Sequence, residues 1–184
     1  MENKLFEEFV LKEKVSEEII KKYEGKIPEM VMEVWNKYGF GTILNGYLRI
    51  VNPDNYQELL EETYVDFESA FVIFTTAMGD LIVWEDNKYL MILNFRKNVV
   101  EVLESGFDFF FDDLINEECV STHKKIDWLP YPEAEKRYGA PEYDECFCYI
   151  PILALGGNEK VENLQKGKLK EHIYLITQFV GKIE

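Results

Sequence analysis

The chain's 184 residues carry 35 acidic against 20 basic side chains, a formal charge of −15, with 47% hydrophobic and 15% aromatic content. That apolar content suffices for a packed core and argues against disorder. The acidity argues against direct binding to nucleic acid, whose phosphates demand a basic surface. No stretch approaches the length of a membrane-spanning helix, and the N-terminus lacks the basic start and apolar run of a secretory signal, so a cytoplasmic protein with no membrane contact is expected.

In chain order, Leu5, Phe6, Phe9 and Val10 recur at helical spacing and predict a first helix. Ser16 can N-cap the next, with Glu17 and Glu18 in its first turn, Ile19, Ile20 and Tyr23 on its apolar side, and Gly25 as its stop. Pro28 suits a first helical position. A third helix over Glu29–Tyr38 turns Val31, Val34, Trp35 and Tyr38 to one side and ends at Gly39. Gly39, Gly41 and Gly46 read as turn residues. No strand precedes them and no Lys-Ser/Thr pair follows, so they do not form a phosphate-binding loop. Tyr47–Val51 is a strand. Asn52 then caps a helix with Pro53 at its first position, Tyr56, Leu59 and Leu60 inward and Glu58, Glu61 and Glu62 outward.

Phe71–Thr75, Leu81–Trp84 and Tyr89–Leu93 are short runs of Phe, Ile, Val, Trp and Tyr, separated by Met78-Gly79-Asp80 and Asp86-Asn87. Such residues suit a pleated surface, and the breaks suit tight turns. They predict a three-stranded antiparallel meander. Val99–Leu103 adds a fourth strand after a turn at Asn94–Asn98. Ser105 and Asp108 resemble a capping box opening a helix over Gly106–Ile115. Phe107, Phe110, Phe111 and Leu114 would pack inward, with Asp112 and Asp113 outward, leading to Glu117 and Glu118. Trp128–Pro132 reads as a stiff link, followed by a short helix over Pro132–Tyr138. Phe147–Leu155 is strand-like, with Pro151 marking an edge or a bend. Gly156-Gly157 turns the chain. Asn158 would then cap a long helix with Val161, Leu164, Leu169, Ile173, Ile176 and Val180 on one face, weakened by Gly167. The pattern is α+β: an antiparallel sheet built on the meander, about residues 70–103, flanked by helices.

Chemistry is sparse. The cysteines are Cys119, Cys146 and Cys148, an odd number that argues against a disulfide framework. On a strand, Cys146 and Cys148 would share a face. A metal would need two further ligands, His123 and His172 are the only imidazoles, and the spacing matches no zinc pattern. Two reduced, mostly buried thiols are expected, with no metal and no cofactor. Among the serines, Ser16, Ser69, Ser105 and Ser121, none lies in G-x-S-x-G. Carboxylates are too abundant for any pair to stand out. Glu85 and Asp86 at a meander turn are the best placed, and turn chemistry already explains Asp86.

Two blocks carry a family resemblance. Ile27-Pro28, Trp35, Tyr38-Gly39-Phe40-Gly41, Gly46-Tyr47 and Val51-Asn52-Pro53, continuing into the meander, resemble the bacterial GAD-like domain. Tyr149-Ile150-Pro151, Leu153-Ala154-Leu155-Gly156-Gly157, Lys160-Val161-Glu162-Asn163-Leu164 and Lys168–His172 resemble the C-terminal domain of type VI secretion DNase immunity proteins. Where many relatives have a Gly-Gly-Pro-Glu-like turn, this chain has Gly156-Gly157-Asn158-Glu159. The resemblance implies a GAD-like domain over residues 1–104 and an immunity-protein C-terminal domain over 105–184, packed closely together. It also implies a non-enzymatic cytoplasmic antidote whose partner is a cognate toxin, often a nuclease.

An acidic protein can cover the basic cleft that a nuclease offers to phosphates. The expected partner surface is the ridge of Asp108, Asp112, Asp113, Glu117 and Glu118. The outer face of the helix bearing Glu58, Glu61 and Glu62 is the second candidate. The competing readings are a regulatory interaction module unrelated to toxins, and a hydrolase or metal-dependent enzyme using Glu85, Asp86 or the Asp112/Asp113 region.

Overall fold

The computed structural model describes residues 4–115 and 124–184. Its centre is one antiparallel sheet of seven strands in sequential order. These are β1 (Val10–Glu13), β2 (Phe40–Ile43), β3 (Leu48–Ile50), β4 (Ala70–Thr76), β5 (Leu81–Glu85), β6 (Tyr89–Asn94) and β7 (Val99–Ser105). The expected meander is β4 to β6. Gly79 turns β4 into β5 at a φ of 86°, and Asp86 and Asn87, at 53° and 52°, make the left-handed pair that a two-residue hairpin requires. The Trp84 indole donates to Asn87 Oδ1 at 3.2 Å and closes that hairpin.

Successive strand residues point to opposite faces. Ile82, Trp84, Leu90 and Ile92 join one core layer, and Leu81, Val83 and Leu93 the other. The first layer is covered by α1 (Glu17–Tyr23), α2 (Glu29–Lys37), α4 (Phe110–Ile115) and α5 (Pro130–Tyr138). The second is covered by α3 (Gln57–Thr63) and α6 (Leu169–Val180). A separate ribbon pairs β8 (Glu145–Tyr149) with β9 (Leu164–Lys168). It sends Phe147 and Tyr149 into the first layer and Cys146 and Cys148 into the second. The Phe147 amide donates to the Ala77 carbonyl at 2.7 Å, fastening the ribbon beside the β4–β5 turn. The fold is α+β, and no helix among the described residues is long and apolar enough to cross a membrane.

Several local expectations give way to tertiary pairing. The first predicted helix is a single 3-10 turn, Lys4–Phe6, followed by the edge strand β1. Gly41 makes this possible. It lies within β2 rather than in a turn, and a Cβ there would sit 2.3 Å from the Val10 carbonyl oxygen. Asn52 caps a 3-10 turn, Pro53–Asn55, accepting from the Asp54 amide at 3.0 Å, and α3 starts only at Gln57.

The predicted Gly106–Ile115 helix begins at Phe110. Ser105 belongs to β7 and Gly106 turns the chain at a φ of 98°, so the capping box does not form. Trp128–Pro132 is not a link: Pro130 opens α5, where its missing N–H costs nothing. The Phe147–Leu155 run stops as a strand at Tyr149, and Leu153–Leu155 is a 3-10 turn. The long C-terminal helix is cut in two. Residues 164–168 pair with β8, and only from Leu169 does the chain turn helical.

Charged groups seal the space between the sheet and the later chain. Arg96 grips Asp80 at both oxygens, 3.1 Å at Oδ1 and 2.6 Å at Oδ2, and reaches Asp127 at 2.9 Å. Lys97 joins Asp127 at 3.0 Å to Glu159 at 2.8 Å. Burial opposes the charge on Arg96, but Asp80 and Asp127 more than offset it and hold the guanidinium protonated. Burial also pushes the Asp80 carboxyl up, against the pull of Arg96 and of the Thr76 hydroxyl.

Candidate partner-binding surface

The acidic ridge is built outward from an aromatic cluster. Phe111 meets Phe6 edge-on at 5.4 Å and Phe74 at 6.0 Å, and Phe107 stacks on Phe74 at 6.1 Å. Such contacts add to the apolar burial of Phe107, Phe110, Phe111 and Leu114 and fix the rotation of the short α4. The opposite side of the helix must then face out. Asp108 and Asp112 are exposed and Asp113 is half-exposed. Phe109, at 67% exposure, stands beside them.

Glu104 at the end of β7 completes the acidic cluster. Its Oε2 is buried with no hydrogen-bond partner. Partial burial pushes this carboxyl up, and the charges of Asp113 and Asp108 push it further.

Between α2 and α4 runs a groove of about 610 Å³. Met30, Val34, Tyr38, Phe6, Phe111 and Ile115 supply its apolar lining; Glu33, Asp108 and Asp112 are its acids, and Lys4 and Lys37 its bases. A second hollow of about 390 Å³ shares Met30, Glu33 and Asp108 and extends to Glu29, Trp84 and Phe107. The sequence reading missed the α2 contribution. Its signal was present: Glu29 and Glu33 are four apart, on the side of α2 away from Val31, Val34 and Trp35. What the sequence lacked was the juxtaposition of α2 with α4.

The second acidic candidate does not join the first. Glu58, Glu61 and Glu62 are exposed on α3, which packs on the other face of the sheet. Glu62 borders a hollow with Tyr174, Thr177 and Gln178 of α6. Glu117 and Glu118 lie outside the described residues, as do Cys119, Ser121 and His123.

Of the carboxylates considered for catalysis, Asp112 and Asp113 are the exposed and half-exposed acids of the ridge, while Glu85 and Asp86 are otherwise engaged. Glu85 is buried and accepts from the Tyr64 hydroxyl at 2.6 Å. Asp86 occupies the left-handed hairpin position. Among the described residues no group of three or more His, Cys, Asp or Glu side chains is arranged to hold a metal ion.

With this geometry in view, comparison with known families is direct. Residues 3–96 match the model of the GAD-like domain, more than half of the chain. This chain belongs to the GAD-like family. Downstream of the GAD-like region, residues 104–180 match the model described as T6SS immunity protein Tdi1, C-terminal. The two blocks that carried the resemblance thus fall within the two matched regions, in the expected order. The C-terminal match makes residues 104–180 similar to type VI secretion immunity proteins, a similarity that suggests a non-enzymatic role. Among curated proteins no relative matches. Among solved structures, the crystal structure of Atu4351 from Agrobacterium tumefaciens has the same fold. Its TM-score is 0.71 at 18% identity, covering 94% of this GAD-like chain and 86% of that one.

Proposed function

We propose that this protein binds a cognate secreted toxin, a nuclease with a basic surface, and neutralises it by covering that surface. The observation that carries the reading is the match of residues 104–180 to the Tdi1 immunity model. The acidic α4 falls inside that region. Opposite charges steer two proteins together and speed association, and a desolvated apolar anchor then slows dissociation. The groove between α2 and α4 supplies both, with acids at Glu33, Asp108 and Asp112 around an apolar lining. Asp113 and Glu104 extend the negative field. Glu117 and Glu118 follow α4 in sequence and remain proposed contacts on sequence grounds alone. Glu58, Glu61 and Glu62 offer a second face on α3. Such a protein acts in the cytoplasm of the cell that makes the toxin and needs no cofactor.

The two matched regions would act as one folding unit. Trp35 and Ile43 share a core layer with Phe147 and Leu164, and the Arg96 network bridges Asp80 to Asp127.

Co-expression with the candidate toxin tests the reading, and association kinetics test the surface. Wild type should restore growth; a toxin that stays lethal beside it refutes the immunity function. The triple variant Glu33→Lys, Asp108→Lys, Asp112→Lys should slow association about tenfold or more at low salt and flatten its salt dependence. Unchanged kinetics would remove the α4 face, and the same reversal at Glu58, Glu61 and Glu62 would then decide for or against α3.

A further inference from the structure

β8 directs Cys146 and Cys148 to one face, and their sulfurs stand 3.7 Å apart. Two glycines leave room for them. An added Cβ would come within 3.2 Å of Cys146 Sγ at Gly79, and within 3.0 Å of Cys148 Sγ at Gly167. Arg49 of β3 is fully buried, and its charge acts on Cys146. Its Nη2 donates only to the Glu142 carbonyl at 3.3 Å, while Nε and Nη1 have no partner.

A buried guanidinium with unmet donors favours an anion beside it. The ionisable groups whose charges reach Arg49 are Cys146, Tyr131, Tyr56 and Tyr47, and burial pushes all three tyrosines up. Cys146 is the one of these four groups that is not a tyrosine, and Arg49 opposes the rise in its value. On its other side His172 of α6, itself buried, lies near the thiol pair and favours the ionised form of Cys148. The bond from Cys146, followed by His172, lowers Cys148 to about 5, against burial and the charge of Glu145. The bond to Cys148 and burial raise Cys146, with Asp80 adding and Arg49 opposing.

We infer that Cys146 and Cys148 form a dithiol that small hydroperoxides oxidise to an intramolecular disulfide. The Cys148 thiolate attacks one peroxide oxygen. The S–O bond forms as the O–O bond breaks, and the departing alkoxide or hydroxide takes a proton from solvent. Cys148 is left as a sulfenic acid. Cys146 then attacks that sulfur: the S–S bond forms, the hydroxyl leaves, and the Cys146 proton accompanies it as water. One hydroperoxide is reduced and two thiols are oxidised. Closure draws positions 146 and 148 together against β9, where they face Gly167 and Gln165. The β8–β9 ladder should loosen as the disulfide forms. Both cysteines are at most 5% exposed, which restricts the oxidant to small molecules.

The test uses the full chain carrying Cys119→Ser, so that the third thiol takes no part. Hydrogen peroxide at neutral pH should remove two hydrogens from the folded protein and yield a peptide cross-linked between 146 and 148. Thiolate ultraviolet absorbance should show one thiol already ionised near neutrality, with the other titrating well above. A further Cys146→Ser change should stop the reaction at a dimedone-trappable sulfenic acid on Cys148. Should that variant not fold, the cross-link and titration of the two-thiol protein decide alone. Oxidation only after unfolding, or both thiols titrating together near the ordinary value of about 8.5, would overturn the inference.

Discussion

Replacing Asp80 with Ala strands Arg96, and the cost follows from the geometry. The two side chains are 0% and 1% exposed, so water cannot replace the lost partner. Arg96 loses both carboxylate contacts, and Thr76 loses the acceptor that its hydroxyl reaches at 3.0 Å. Removing one member of a buried ion pair costs about 3–5 kcal/mol. Asp127 still holds Nη1 at 2.9 Å, which favours the lower end of that range. For a chain of this size each kcal/mol moves the midpoint by roughly 2–4 °C, so thermal melting followed by circular dichroism should show a fall of roughly 6–12 °C. The network spans both matched regions, so the fall should shift one cooperative transition as a whole. Adding Arg96→Met should recover part of the loss, because the stranded charge is then gone. A midpoint within about 2 °C of wild type, or two transitions of which only one moves, would refute the reasoning.

Other changes probe separate links. Gly41→Ala places a methyl group against the Val10 carbonyl, so β1 must leave β2. Hydrogen exchange at residues 10–13 should accelerate, with a stability loss of about 1–3 kcal/mol. Glu104→Gln removes a carboxyl whose folded-state value is raised by burial, Asp113 and Asp108. A raised carboxyl favours folding only while protonated, below its unfolded value, and that contribution is lost as pH rises through the folded value. The variant should therefore melt slightly higher than wild type at neutral pH, and the difference should vanish in acid below the ordinary carboxyl range. In the toxin complex, the Lys triple variant at Glu33, Asp108 and Asp112 should change the association rate far more than the dissociation rate, as measured by stopped flow.

The parts legible in sequence were those decided by a few neighbouring residues. Ser16 caps α1, accepting from the Ile19 amide at 3.3 Å, as its place before two glutamates predicts. The meander follows from three β-rich runs and their turn formers. The outward placement of Asp112 follows from the helical spacing of Phe110, Phe111 and Leu114, whereas Asp108 precedes the helix and is exposed on the bend before it. The illegible parts were settled at a distance. Val10–Glu13 is a strand because Gly41 lets another chain segment approach, and Leu164–Lys168 is a strand because β8 offers it a ladder. Apolar spacing in those stretches fits a helix equally well, and only the available partner breaks the tie. The α2 half of the candidate groove was hidden for the same reason, since Glu33 and Asp108 are neighbours only once the sheet has brought α2 and α4 to one face.

By itself, the sequence determined the α+β class, the acid excess and the two-part resemblance, because composition, short-range periodicity and local motifs survive without coordinates. The tertiary structure decided which acids share a surface, and set the Glu33/Asp108 groove and the α3 patch on opposite layers. It also brought Arg49 to the Cys146–Cys148 pair. Burial, charge pairing and unmet hydrogen bonds depend on residues far apart in the chain, and they acquire values only when the sheet closes between its helices.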